Sequence, residues 1–466
     1  MRAFYTLVAL ALVNAGCGSA NAPSVAGTLD SPGGSSSETG GESTNGGAAN
    51  GGAANGGTTN GGAATAGAAV GGAASGAATG GATSDGTAGG NSSGGSTVLR
   101  PPPNPCIANN SCPSGTWVNV TPPEVNLDPN LSCSGCNYGA LDVLADPVRP
   151  SDFYIFICYQ GAWKSVDYGM TWTKVSKGMN SDLLESGRPW MGGIDPSTHR
   201  DPNTPPALYT ASGYGSHLGL YKSIDGGNSW TIYPLKNTQG AASDDVYSID
   251  VDPGNSNHLI AGFHDVGLSE STDGGKTWTT IKVPNGFGKS VYPKFVLTGS
   301  AATTSTTWIS LAQWENNSNG MWRTTDSGKT WTQVNSKLEH GHGSGEIYQD
   351  GKGNIYAAGS SSDGPLQRSA DYGVTWAAVK SGMVPQNGVF GTPNYVYAEL
   401  NGAILDGLDQ HLQRSPASDG VNWSDWQPTA PKGMTNGNKR AAVSYDGSHY
   451  VIVTGNYLAG IWRYVE

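Results

Sequence analysis

An eight-residue pattern returns at near-regular intervals along residues 165–423, and it constrains the fold more tightly than any bulk property. It reads Ser165-Val166-Asp167-Tyr168-Gly169-Met170-Thr171-Trp172, then Ser223-Ile224-Asp225-Gly226-Gly227-Asn228-Ser229-Trp230, then Ser271-Thr272-Asp273-Gly274-Gly275-Lys276-Thr277-Trp278. Two further copies are Thr324-Thr325-Asp326-Ser327-Gly328-Lys329-Thr330-Trp331 and Ser369-Ala370-Asp371-Tyr372-Gly373-Val374-Thr375-Trp376, and a degraded one is Ser418-Asp419-Gly420-Val421-Asn422-Trp423. Successive tryptophans stand 58, 48, 53, 45 and 47 residues apart. A spacing near 50, filled with short β-type runs, suits one four-stranded propeller blade per repeat. The chemistry is that of a tight turn. Aspartate accepts from backbone N–H groups, glycine supplies positive φ, a hydroxyl closes the turn and the indole fills space between sheets. These acids are therefore expected to be structural.

The strand before each pattern gives the blade count. Its copies begin at Gly161, Gly219, Gly267, Gly320, Pro365 and His411, and a seventh, Gly460-Ile461-Trp462-Arg463-Tyr464, stands near residue 466 with no fourth strand after it. The missing strand resembles Thr116-Trp117-Val118-Asn119-Val120, which matches Thr171-Trp172-Thr173-Lys174-Val175 but follows no turn pattern of its own. The expectation is an all-β, seven-bladed propeller over residues 99–466. Its first strand would complete the last blade and abolish a free edge.

The recurring turn is similar to the Asp-box, or bacterial neuraminidase repeat, and the resemblance covers nearly all of residues 100–466. That family includes sialidases, xyloglucan-active endoglucanases, some polysaccharide lyases, photosystem II assembly factors and sortilin-type receptors, so it implies a fold rather than one activity. Sialidases use an arginine triad, a Tyr/Glu pair and a Phe-Arg-Ile-Pro segment. Here Arg188-Pro189 is the nearest fragment, and Arg323, Arg368, Arg414 and Arg463 fall beside the turns, which disfavours sialidase chemistry. Xyloglucan-active relatives are usually tandem propellers with one catalytic Asp from each, whereas this chain has one. Photosystem assembly factors are of similar size, but the N-terminal segment does not argue for that role.

Residues 1–16 place one basic residue and an apolar stretch ahead of Cys17, the layout of an export signal. Asn14-Ala15-Gly16-Cys17 resembles a bacterial lipobox, although Leu is usual where Asn14 stands, and Cys17 is the expected lipidation site. Residues 18–98 hold 25 glycines with no aromatic residue, Lys or Arg, and are expected to form a disordered tether. Such a tether would hold a domain on the order of 50 Å from a membrane. The whole chain has a formal charge of −11, and setting aside Arg2, Asp30, Glu38, Glu42 and Asp85 leaves −8 on residues 99–466. That balance disfavours a nucleic-acid partner. No apolar run of 18 or more residues follows the N-terminal segment, which excludes a helical membrane span there. A monomer is expected, either anchored to a bacterial cell envelope through Cys17 alone or, with ordinary cleavage near Ala20 or Ala22, secreted. With export, Cys106/Cys112 and Cys133/Cys136 are the simplest disulfide pairs, leaving Cys158 over. Zinc is the rival reading of Cys133 and Cys136, and it needs two more ligands that the sequence does not offer.

If the turn pattern joins third and fourth strands, the opposite face carries the loops leading into each first strand and those joining second to third strands. Function is expected there, around the channel. Those loops supply Tyr138, Arg188, Trp190, Tyr247, Lys294, Trp314, Lys439 and Arg440 as candidate substrate-binding groups. Aromatic faces can stack on sugars, and basic groups on an acidic chain would suit a carboxylated glycan. Arg188 and Arg440 are expected to be exposed loop cations with little effect on stability. Candidate catalytic groups are Asp244, Asp245, Asp265, Glu315 and Glu346, with His264, His340 and His342. A hydrolase would draw an acid and a nucleophile or base from the carboxylates. A lyase would use His or Tyr to abstract a proton at a uronate, with Arg or Lys neutralising the carboxylate. His340 and His342 would serve as base and orienter, or as a weak metal pair without an evident third ligand. No nucleotide loop, Ser/His/Asp elbow or EF-hand pattern is present, so no cofactor is expected. The partner is expected to be a polysaccharide or oligosaccharide, neutral or anionic, with hydrolase, lyase and non-catalytic binder all open.

Overall fold

A computed structural model describes residues 105–189, 191–198, 200–211, 219–235, 246–263, 267–284, 287, 290–313, 320–336, 347–357, 366–379, 388–400, 411–426, 434 and 440–466. Cys17 and the expected signal and tether lie outside these residues. Seven four-stranded antiparallel sheets make seven blades. Blade 1 pairs Ala140–Ala145, Phe153–Ile157, Gly161–Ser165 and Thr173–Lys174 in chain order. The first strands of blades 2 to 7 are Gly193–Ile194, Val246–Val251, Ser290–Phe295, Ile347–Gln349, Val389–Gly391 and Arg440–Tyr445. The second strand of blade 1, Phe153–Ile157, is buried along its whole length, because neighbouring blades cover both its faces.

The ring closes as the sequence predicts. Val118–Asn119 pairs with Ile461–Val465, setting Val118 opposite Arg463 and Asn119 opposite Trp462. Trp117 anchors this strand: it is 4% exposed and its ring centroid lies 5.4 Å from Trp426 and 5.3 Å from Tyr464. Disulfides join Cys106 to Cys112 and Cys133 to Cys136, while Cys158 is a buried thiol.

Each intact turn pattern joins the third and fourth strands of its blade and repeats one hydrogen-bond set. The Ser165 hydroxyl donates to Asp167 (2.7 Å) and accepts the Gly169 N–H (2.9 Å), and Asp167 accepts the Thr171 N–H (2.9 Å) and hydroxyl (2.5 Å). The same set recurs around Asp273, Asp326 and Asp371. The Thr277 hydroxyl and N–H hold the Asp273 carboxyl down at about 2, and Thr330 does the same for Asp326. The glycine is required twice over. Gly169 has φ +77°, and a Cβ there would meet Val453 of blade 7 at 2.5 Å.

At three blades the penultimate residue of the third strand's copy links to the neighbouring blade, a role the sequence reading did not assign. Lys222 of blade 2 donates to the Gly274 carbonyl in blade 3 (2.5 Å), Arg323 of blade 4 to Tyr372 in blade 5 (3.0 Å), and Arg463 of blade 7 to Tyr168 in blade 1 (2.7 Å). Each carbonyl belongs to the fourth residue of a turn pattern, whose positive φ is +58° at Tyr168, +74° at Gly274 and +58° at Tyr372.

Candidate functional site

Alternation of strand direction puts the loops leading into first strands on the face opposite the turn patterns. On that face blade 7 meets blade 1. The Ala140 N–H donates to the Tyr457 carbonyl (3.0 Å) and the Tyr457 N–H to the Ala140 carbonyl (2.9 Å). Only glycine fits beside this junction, since a Cβ at Gly139 (φ +72°) would collide with the Tyr457 carbonyl.

Next to it lies an arginine between two tyrosines. The Arg188 guanidinium sits 4.6 Å from the Tyr138 ring centroid and 6.0 Å from that of Tyr159, and its Nε donates to the Tyr159 hydroxyl (3.3 Å). Tyr159 holds φ +58° in the turn between the second and third strands of blade 1, and its N–H bonds to the Gly187 carbonyl at 3.1 Å. This contact ties the blade 1 turn to the loop leading into blade 2. Burial works against the charge on Arg188, yet the Tyr159 hydrogen bond and the nearby phenols raise its pKa above the ordinary arginine value. The cation is thereby fixed in place. Burial pushes the neighbouring Cys158 thiol up to about 11, so it is not a thiolate nucleophile near neutral pH.

A second constellation joins blades 7, 1 and 2. Asp142, fully buried in the first strand of blade 1, accepts both the Gly192 N–H and Arg440 Nη1, the latter 3.2 Å from each carboxylate oxygen. Arg440 also donates to the Gly192 carbonyl at 2.9 Å. Arg440 lines a channel cavity of about 40 Å³ together with Met191, Ser248, Tyr292, Asp250 and Lys294. Asp250 and Lys294 pair at 3.9 Å, and the Phe295 N–H donates to Asp250 at 2.8 Å. Both are the fifth residue of six-residue first strands, toward the face of the turn patterns, where a cleft of about 270 Å³ opens beside them.

Among the expected site residues, Tyr138 and Arg188 are brought together, Arg440 is engaged by Asp142, and Lys294 lies at the far end of its strand beside Asp250 rather than on the channel-face loops. Tyr247 is the second residue of the first strand of blade 3. Trp190, Asp244, Asp245, His264, Asp265, Trp314, Glu315, His340, His342, Glu346 and Lys439 lie outside the described residues. The expectation of exposed loop cations is corrected at both arginines: Arg188 is 6% exposed because two rings enclose it, and Arg440 begins the strand Arg440–Tyr445 with its side chain 21% exposed and held by Asp142 and Gly192. Sequence reasoning missed Asp142 and Asp250. The signal for Asp142 was an acid inside the otherwise apolar run Ala140–Ala145; Asp250 shares Val246–Val251 with Ser248 and stood out less.

No family model matches the chain, and no curated protein matches its sequence. Among solved structures, the GH74 xyloglucanase from Xanthomonas campestris aligns with a TM-score of 0.51 at 19% identity, covering 75% of this chain and 53% of that one. The GH74 enzyme of Niastella koreensis aligns at 0.48 and 17% identity over 74% of this chain and 55% of that one. YCF48 from Cyanidioschyzon merolae aligns at 0.45 and 13% identity, covering 75% of this chain and 98% of that one. This chain thus matches about half the length of the two GH74 enzymes. At such identity the likeness to the Xanthomonas enzyme shows a shared propeller fold and nothing finer.

Proposed function

We propose that the chain is an exported, carbohydrate-active propeller that binds a polysaccharide across its channel face and hydrolyses it. The observation that carries the reading is the Tyr138–Arg188–Tyr159 stack, a fixed cation flanked by two half-buried phenol rings on the loop face. The half-buried phenol rings are the groups a sugar would reach and stack on, and the enclosed guanidinium would hold them in position. The channel cavity, about 40 Å³, is far below the roughly 300 Å³ at which ligand pockets begin, so the glycan would lie across the mouth rather than inside. Cleavage would use two carboxylates from Asp244, Asp245, Asp265, Glu315 and Glu346. One protonates the leaving oxygen, and the other attacks the anomeric carbon or activates water. His264, His340 and His342 would orient these groups. Lipidation at Cys17 and the tether over residues 18–98 would hold the propeller at the cell envelope.

A second reading, a non-catalytic glycan-binding propeller, is favoured by one observation. The two carboxylates described along the channel, Asp142 and Asp250, are both paired with cations. Incubating the full chain with neutral and acidic polysaccharides separates the readings. New reducing ends support hydrolysis, unsaturated-uronate absorbance indicates a lyase, and retention on a glycan without cleavage indicates a binder. Neither retention nor cleavage on any polysaccharide overturns the proposal.

A further inference from the structure

Blade 3 departs from the other blades at the position from which Lys222, Arg323 and Arg463 reach a neighbouring blade. Where the other six blades carry Lys164, Lys222, Arg323, Arg368, Arg414 and Arg463, blade 3 carries Glu270. A carboxylate cannot donate to the next blade's turn. Its Oε1 instead meets His258 Nε2 at 2.8 Å, while His258 Nδ1 meets Asp252 Oδ2 at 3.0 Å. The same Asp252 oxygen accepts the Ser305 hydroxyl from the short helix Ala301–Thr306 of blade 4. The imidazole, its side chain 7% exposed, also packs edge-on against Phe295 (4.9 Å between centroids) and lies 6.0 Å from Trp308, both of blade 4.

A neutral imidazole has a single N–H. Between two carboxylates it would set one ring lone pair against an anionic oxygen, whereas the imidazolium donates to both. From this geometry we propose that His258 is a pH-sensitive brace at the seam of blades 3 and 4: as a cation it holds Asp252 and Glu270 of blade 3 in place for the Ser305 and Phe295 contacts from blade 4, and proton loss as pH rises weakens that hold.

The charges acting on the ring support the direction. Burial disfavours the imidazolium, but the hydrogen bonds and fields of Glu270 and Asp252 outweigh it and raise the pKa above the ordinary 6.5. From blade 4, the helix Ala301–Thr306 carries no ionisable residue and Phe295 and Trp308 present apolar rings; the one charged residue beside them in sequence, Lys294, pairs with Asp250 of blade 3. A group with a raised folded-state pKa contributes stability that is complete below its unfolded value. That contribution disappears as pH rises through the folded value. The seam also forms one wall of the 270 Å³ cleft, which is lined by Asp250, Lys294 and Phe295. Weakening the brace would therefore loosen that cleft as well.

The test uses the full chain. Histidine ring titration by NMR, with His258→Gln assigning the resonance, should give a midpoint above 6.5. Glu270→Gln should move it down, because an amide donor satisfies Nε2 of the neutral ring. Between about pH 6 and about pH 9 the wild-type Tm should fall by about 2–4 °C more than that of His258→Gln. Should His258→Gln fail to fold, loss of one histidine resonance shift on going from wild type to Glu270→Gln still identifies the ring. A His258 midpoint at or below 6.5, or one that Glu270→Gln leaves in place, overturns the proposal.

Discussion

The two faces of the propeller are built on opposite principles. On the face of the turn patterns, one set of four hydrogen bonds is repeated around Asp167, Asp273, Asp326 and Asp371, and each turn closes on itself. On the channel face the arrangements among the described residues differ from one another: Arg188 sits between tyrosines, Arg440 spans Asp142 and Gly192, and Tyr457 is stitched to Ala140. Repetition makes one face a scaffold whose polar groups satisfy one another. Irregularity leaves the other with loops that differ blade by blade, which is where recognition on a rigid scaffold resides. Blade 3 shows how small the step between the two is, since a single acid, where three other blades carry a linking cation, makes a titratable contact.

The sharpest way to break the comparison is to open the ring. Deleting residues 114–122 removes Trp117, Val118 and Val120, all under 5% exposed, and leaves Ile461–Val465 as a free edge. Losing that burial costs on the order of 6–10 kcal/mol, which rivals the whole stability of a domain. The truncated chain should lose its cooperative melt and associate, as calorimetry and gel filtration would show; an unchanged Tm would refute closure by this strand.

A smaller effect is expected at Arg188→Glu. The substitution places a carboxylate between two phenol rings where the cation was 6% exposed, and should cost about 3 kcal/mol in chemical unfolding. A loss under about 0.5 kcal/mol would mean that the stack is a loose surface contact.

Smaller still is Asp326→Ala, which removes the acceptor of one turn and should cost about 1 kcal/mol, as loss of a helix cap does. It should also change the acid response. The folded Asp326 pKa is depressed to about 2, so its contribution is present above the ordinary 3.8 and lost as pH falls through about 2. The wild-type advantage over Asp326→Ala should therefore vanish between those values. A constant difference across that window would contradict it.

The same asymmetry explains what could be read from the sequence. The turn set, seven blades and strand closure were legible because each rests on local spacing that repeats: a tryptophan every 50 residues or so, and Trp117 duplicating Trp172. The disulfides Cys106–Cys112 and Cys133–Cys136 follow from proximity along the chain. What escaped depends on contacts between residues far apart. Arg440 meets Asp142 across 298 positions and Gly192 across 248, and no periodicity marks such a triad. The burial of Arg188 was hidden for the same reason, since Tyr159 reaches it from another blade.

In the function proposed, glycan recognition belongs to the channel face, while the turn face closes on its own hydrogen bonds and touches no ligand. The most direct measurement compares the full wild-type chain with Arg188→Lys and Asp326→Ala on whichever polysaccharide it retains or cleaves, at temperatures equally far below each Tm. Arg188→Lys keeps the charge but loses the Nε bond to Tyr159 and the planar stack, and should weaken glycan binding roughly 10-fold, about 1.4 kcal/mol. Asp326→Ala should bind and cleave as wild type does. The account is contradicted if Asp326→Ala loses glycan affinity while Arg188→Lys keeps it.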